Sequence, residues 1–422
     1  METKKGSLKD YGQLFMNKDF LVVLLLAVLS GFSQKMCQSC LTSHGMSIAG
    51  MTGTILGLAV TVNKIVAMAG RPVSGSTFDI MGVKKTLILA FLAKTACYVL
   101  LSFTNSIPLW VIGKGVEGFC SAIQGGLIAA AAVSIVGKSG RGMAICLMSA
   151  VPNLVTGFAP RVAKMIFNAS SYSNALRIGG LSFLLSAAFC LLLNEQAIQI
   201  RKNASKKAAA DAMEAKNLPW YKKLFRGILP VVLPVCTMGL FANVARDLNK
   251  DYIVQLGEVT GIDVTGGIAI AGVLSFVLAI TIGFIIDRAG TTFVLYAGYG
   301  LLAASNLLYG FGTNQGMYTI AALCYAVGIA AYWPSLQAMV FRVAGDGRQG
   351  AASATLYLFL DLVAIVFGTI TGVLYDLVGL QNVFKVMGFV VLFSIVYFTV
   401  LKFAWMDKFI ARQDAMAAQT RE

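Results

Sequence analysis

Twelve apolar runs follow one another along this chain of 422 residues, each long enough to be read as a membrane-crossing helix. They cover 20–40, 50–70, 86–104, 108–136, 143–167, 177–193, 228–245, 264–286, 291–312, 316–340, 350–375 and 382–404. A helical span needs about 20 mostly apolar residues to match the hydrocarbon thickness, and inside lipid a helix satisfies all of its own backbone hydrogen bonds. An all-α polytopic membrane protein with twelve transmembrane helices follows. Composition agrees, with 57% of residues hydrophobic and 13% charged, against the roughly 25% charge of a soluble domain.

A net charge of +15 would suit nucleic acid if the cations formed one patch, but they are sorted along the chain instead. Lys4, Lys5 and Lys9, Lys84 and Lys85, Arg201 to Arg226, Arg288, Arg348 and Lys408 lie at the termini or in loops that leave even-numbered runs. The opposite loops at 105–108 and 312–317 lack Lys and Arg. The positive-inside rule then puts both termini in the cytoplasm and excludes nucleic acid as a partner. Arg246 and Lys250, after the seventh run, are the exception. The basic leader before the first run has no small-residue cleavage site, so no cleavable signal peptide is expected.

Soluble-enzyme chemistry has little material here. His44 is the single histidine, which leaves no His/Cys metal cluster and no Ser/His/Asp set away from that residue, and no phosphate-cradling loop occurs. Cys37 and Cys40 form a CQSC pair inside an apolar run, read as small-residue helix packing. No cofactor and no metal are expected.

The longest charged stretch, 194–227, divides the chain into 1–193 and 228–422, six runs each. Its LPWYKKLF segment, aromatic residues beside lysines, suits an interfacial anchor on the cytoplasmic face. The two parts repeat a signature: Gly75, Asp79 and Gly82 are matched by Gly283, Asp287 and Gly290, 208 residues later, with Arg288 beside the second aspartate. Glycine serves a tight turn, and an aspartate there faces the positive end of a neighbouring helix. The expected role is a latch at the cytoplasmic end, with Lys84 and Lys85 fixing orientation.

On these residues the chain resembles the major facilitator superfamily, across essentially its whole length. Gly75, Asp79, Gly82, Lys84 and Lys85 stand at the places of that family's signature between spans two and three. In span four, KGVEG approximates a second motif, with Lys114 and Glu117 for its arginine and glutamine. In span five, GFAPRVA has Ala159 and Ala163 where a drug-antiporter motif has glycines, which counts against that assignment. The resemblance implies two six-helix bundles around a cavity that opens alternately to each side.

Polar groups at membrane depth ask for such a cavity, because an isolated charge near a helix centre costs about 2.5–3.5 kcal/mol on insertion scales. Lys114, Glu117, Ser121 and Gln124 recur at spacings of three and four and so share one helical face. Depth follows from the helical rise: Lys35 lies about 22 Å from the cytoplasmic edge, Lys114 about 9 Å from the outer edge, and Arg161 about 27 Å from the inside. With Gln34 and Gln124 these three cations are the candidate seat for an anion, although Arg161 also suits snorkelling to the interface. Asp361, about 16 Å into its span, is the first candidate for a proton site, and Glu117, one turn from Lys114, the second. Asn243, Arg246 and Asp247 are read as an external gate, and Tyr332 and Trp333, before Pro334, as aromatic cavity surface.

The expectation is a monomeric secondary transporter of the bacterial inner membrane, moving a small organic anion by alternating access, coupled to protons or a counter-solute. A proton-coupled exporter of amphipathic drugs and a non-transporting sensor are the alternatives.

Overall fold

The computed structural model describes residues 16–135, 148, 154–155, 157–195, 229–344 and 349–406, and among them every regular element is a helix. A first set comprises α1 (Lys18–Met46), α2 (Gly53–Met81), α3 (Val83–Leu101), α4 (Ile107–Ile135), α5 (Ala159–Ala169) and α6 (Tyr172–Cys190). A second set comprises α7 (Leu229–Thr237), α8 (Leu240–Asp251), α9 (Ile253–Thr260), α10 (Thr265–Ala289), α11 (Thr291–Phe311), α12 (Gln315–Ala344), α13 (Gln349–Val378) and α14 (Leu380–Leu401). A π-helical turn, Lys402–Met406, follows. Where described, each apolar run contains helix, the fifth as α5. Seven described helices or helix stretches are long and apolar enough to cross a membrane.

Short polar caps start several helices. The Asn17 side chain accepts from the amides of Asp19 and Phe20, and the Thr52 and Ser171 hydroxyls accept from those of Ile55 and Asn174. Such caps satisfy N–H groups that a helix end leaves orphan. The helix α2 runs on to Met81, so the turn into α3 is the single residue Gly82, at φ 80°. Gly290, 208 residues on, makes the same turn between α10 and α11 at φ 82°. A left-handed φ at a one-residue turn favours glycine. The side chains of Asp79, Asp287 and Arg288, with Gly75, and residues 196–227 of the 194–227 linker lie outside the described residues.

The seventh run is longer than its apolar part. Helix continues from Leu229 to Thr260 as α7, α8 and α9, interrupted at Met238–Gly239 and at Tyr252. Arg246, Asp247 and Lys250, expected at the outer end of that span and in the loop beyond, therefore stand within α8, Lys250 in its last turn. Pro234 lies inside α7 and lacks a backbone donor. At the interruption, the Tyr299 hydroxyl donates to the Met238 carbonyl at 2.7 Å and the Tyr332 hydroxyl to the Gly239 carbonyl at 3.2 Å. Tyr299 of α11 thus supplies a donor to the Met238 carbonyl at the break, and Tyr332 of α12 adds a second donor to the Gly239 carbonyl, which also accepts from the Asn243 amide at 3.0 Å.

The two sets meet most closely along α2 and α13. A Cβ on Gly57 would lie 2.5 Å from the Gly368 carbonyl oxygen and 2.8 Å from Gly372 Cα, so the two backbones touch. Small residues allow this approach in membrane helices. Thr61 Oγ1 donates across the seam to the Ile365 carbonyl at 3.0 Å. Gly57→Ala has no flexible neighbour to displace, and overpacking of this kind costs about 1–3 kcal/mol. Thermal unfolding in detergent should show a lowered Tm for Gly57→Ala, and an unchanged Tm would contradict the backbone contact.

Candidate functional site

Between the two sets lies a cavity of about 660 Å³, reached by side chains from most helices of both. Its polar wall on the first set comprises Gln34, Lys35, Lys64, Lys94, Glu117 and Gln124. The second set contributes Asn243, Arg246, Asp247, Lys250 and Asp361. Ile268, Ala271, Ala322, Ala326 and Ile329 of α10 and α12 supply an apolar wall.

The polar wall of the first set is one connected network. Glu117 is 3% exposed. Its Oε1 accepts from Gln34 Nε2 at 2.6 Å and from Ser121 Oγ at 2.9 Å, its Oε2 from Asn63 Nδ2 at 2.6 Å. The Lys114 ammonium stands 3.9 Å from Oε2. Every neighbour is a donor, an arrangement suited to an ionised carboxylate. The other end of Gln34 accepts from Lys94 Nζ at 2.5 Å, and Lys94 also donates to Gln124 Oε1. Its ammonium stands 5.1 Å from the Phe183 ring centroid, a cation–π contact. The network fixes the Gln34 amide, since its nitrogen must face the acid and its oxygen the lysine.

On the facing wall, Asp247 accepts from Lys64 of α2 at 3.4 Å and from Asn243 at 3.1 Å. The Arg246 guanidinium stands 4.8 Å from the Trp333 ring centroid, and Trp333 packs on Tyr357 at 5.5 Å between centroids. Lys35 and Lys250 line the cavity from opposite sets and lie within electrostatic reach of each other and of Asp251 and Arg246.

Of the residues singled out in the sequence, Gln34, Lys35, Gln124, Glu117, Asp361, Arg246 and Asp247 are brought together here. Lys114 stands behind the lining, bound to Glu117, and Arg161 is exposed and outside it. Tyr332 is fully buried against Gly239, and Trp333 backs Arg246 and Tyr357. Lys94 and Lys250 were not among the sequence candidates. A lone lysine about 12 Å into the third run was the available signal for Lys94.

The end of the bundle away from Asn17 and Met406 is held shut by contacts between the sets. The Asp376 carboxylate accepts from the first amides of α2, Gly53 at 2.5 Å and Thr54 at 2.6 Å, where the helix dipole favours negative charge. Thr42 Oγ1 donates to the Asp251 carbonyl at 2.8 Å, and Lys164 pairs with Asp263 at 2.7 Å. Burial pushes the Asp263 carboxyl up, but hydrogen bonds from Lys164 and Thr265 outweigh it and hold it below its ordinary 3.8. A depressed carboxylate stabilises above its unfolded value and loses that contribution as pH falls through the folded one. The Asp263 carboxylate therefore stays ionised at neutral pH.

The sequence profile of the Major Facilitator Superfamily matches residues 23–305 and 253–414. The chain belongs to the major facilitator superfamily. No curated protein matches the sequence. Its fold is similar to that of the nucleoside transporter NupG, with 14% identity, 92% of this chain and 100% of that chain covered, and a TM-score of 0.66. It is also similar to the human organic anion transporter MFSD10, at 15% identity, 90% and 98% coverage and a TM-score of 0.58. Tetrameric PepTSo2 matches at 14% identity, 91% and 98% coverage and 0.67. At these identities the likeness is one of fold. As a secondary transporter of this superfamily the protein is not an enzyme, and its central cavity is where a small solute is expected to sit.

The donor set around Glu117 generates a prediction for this transporter. Glu117→Gln leaves Lys114 buried without its counter-charge, and breaking a buried pair costs about 3–5 kcal/mol. Its Tm should fall well below wild type while the shape of any pH–transport profile is kept. A shifted pH profile at unchanged Tm would make Glu117 a proton carrier instead.

Proposed function

We propose that this transporter moves a small organic anion across a bacterial inner membrane by alternating access, coupled to protons or to a counter-solute, with both termini and the linker in the cytoplasm. One observation carries the reading: Lys35, Lys94 and Lys250 face the cavity, and among the described residues none of them makes an ion pair. Lys64 and Lys114, by contrast, are matched to Asp247 and Glu117. Charge inside a low-dielectric cavity is felt far more strongly than in water, so unmatched ammonium groups favour an anionic guest. The apolar wall of α10 and α12 suits its carbon skeleton. The contacts that hold one end shut support a state closed to the outside. A drug-exporter reading draws less support, because Tyr332 and Trp333 stand behind the lining.

Asp361, buried and lining the cavity, is the residue for a proton step. Lys94→Gln removes one positive charge from the cavity wall and should weaken anion binding by about tenfold or more, because charge is felt strongly in a low-dielectric cavity, measured by thermal shift on purified protein and by flux in proteoliposomes. Asp361→Asn should keep binding and change the pH dependence of flux. Wild-type anion affinity and transport in Lys94→Gln would contradict the reading. Severe loss of cation transport in Asp361→Asn would point to the exporter.

A further inference from the structure

The charges around the cavity do not balance, and the imbalance has a location. Lys114 closes on Glu117 and Lys64 on Asp247. Four cations then remain, Lys35, Lys94, Arg246 and Lys250, against Asp251 and Asp361. Two positive charges are left over among the described residues. Lys94 is engaged by Gln34 and Gln124, and Arg246 stands over Trp333. Among the described residues, Lys35 and Lys250 have neither kind of engagement. They come from α1 and α8, one from each set, and repel each other across the cavity.

We propose that the cavity takes a small dianion, its two negative charges held by Lys35 of α1 and Lys250 of α8, and that the carrier therefore exchanges anions instead of returning empty. The proposal rests on the reading of the cavity as an anion site. A dianion matches the excess of two positive charges and turns the repulsion between the sets into attraction. Any occlusion of the site brings the two ammonium groups together in a lower dielectric, where like charges repel more strongly. The loaded carrier then reorients readily and the empty one slowly.

A further group in the same wall bears on the ligand. Asn243 is 2% exposed and lines the cavity; its Nδ2 is committed to Asp247, and its Oδ1 has no donor among the described residues. A buried acceptor without a partner is costly. A hydroxyl beside the charged groups of the ligand would satisfy it, so malate should bind better than succinate.

The test uses the full chain, purified and in proteoliposomes, with dicarboxylates of two to six carbons, malate, and monocarboxylates of matching length. Wild type should be stabilised against heat by dianions more than by monoanions. External dianion should speed efflux of the labelled internal anion by about tenfold or more over anion-free buffer, a difference equal to one decade in rate. Lys35→Gln and Lys250→Gln should each weaken dianion binding by about tenfold or more, remove the preference over monoanions and raise empty return relative to exchange. Lys250→Arg should keep both properties, and it serves if a glutamine variant fails to fold. Monoanions bound and carried as well as dianions, with both glutamine variants unaltered, would overturn this site while leaving an anion transporter. Net efflux by wild type as fast as exchange would overturn the exchange mode. No stabilisation by any anion would overturn both readings together.

Discussion

A lysine in the middle of a membrane-spanning helix must be paired or must face a wet cavity, and most of this structure follows from that constraint. Left alone in lipid, each would cost about 2.5–3.5 kcal/mol on insertion scales. Lys114 is answered by Glu117, and Lys94 by Gln34 and Gln124. The first pair lies within α4, and the bonds beyond it join different helices. Lys94 of α3 binds Gln34 of α1, Gln34 binds Glu117 of α4, and Glu117 binds Asn63 of α2. One polar network therefore ties four helices of the first set together. A network with every member satisfied specifies a single packing, whereas a half-satisfied one is costly.

The second set is built differently. Its seventh span is broken, and tyrosines of α11 and α12 donate to the two carbonyls at the break. The segment after the break, α8, carries Arg246, Asp247 and Lys250 to the cavity. The two sets then face each other through charge: Lys64 to Asp247 in the wall, Asp376 to the start of α2, and Lys164 to Asp263 at the closed end. The last pair is partly exposed and worth only about 0–1 kcal/mol. A closure made of several weak contacts plus one backbone seam can be reversed within a transport cycle.

The fold was legible in the sequence because lipid imposes it run by run. The two glycine turns were legible as well, since Gly82 and Gly290 recur at one spacing and adopt one φ. Helical rise assigned each site residue a height, but it carries no direction around the helix axis. Rise per residue gave Lys114 and Arg161 a depth, yet one turns to Glu117 behind the lining and the other away from it. Tyr332 and Trp333 were expected at the cavity surface because they precede Pro334, but α12 runs unbroken through that proline; Tyr332 reaches Gly239 at the α7–α8 interruption and Trp333 stands against Arg246. Arg246 and Lys250 looked like loop residues because counting apolar residues ends a span at its first charges. A cavity on one face is what lets the helix continue.

The claim on which the account turns is that the unmatched lysines of the cavity hold an anion between the two sets of helices. An experimental structure determined in the presence of a dicarboxylate tests it most directly. The account predicts ligand density in the cavity with carboxylate oxygens within hydrogen-bond reach of Lys35 and Lys250. Density that leaves both ammonium groups unliganded and lies instead against Asp361, or outside the cavity altogether, would contradict it.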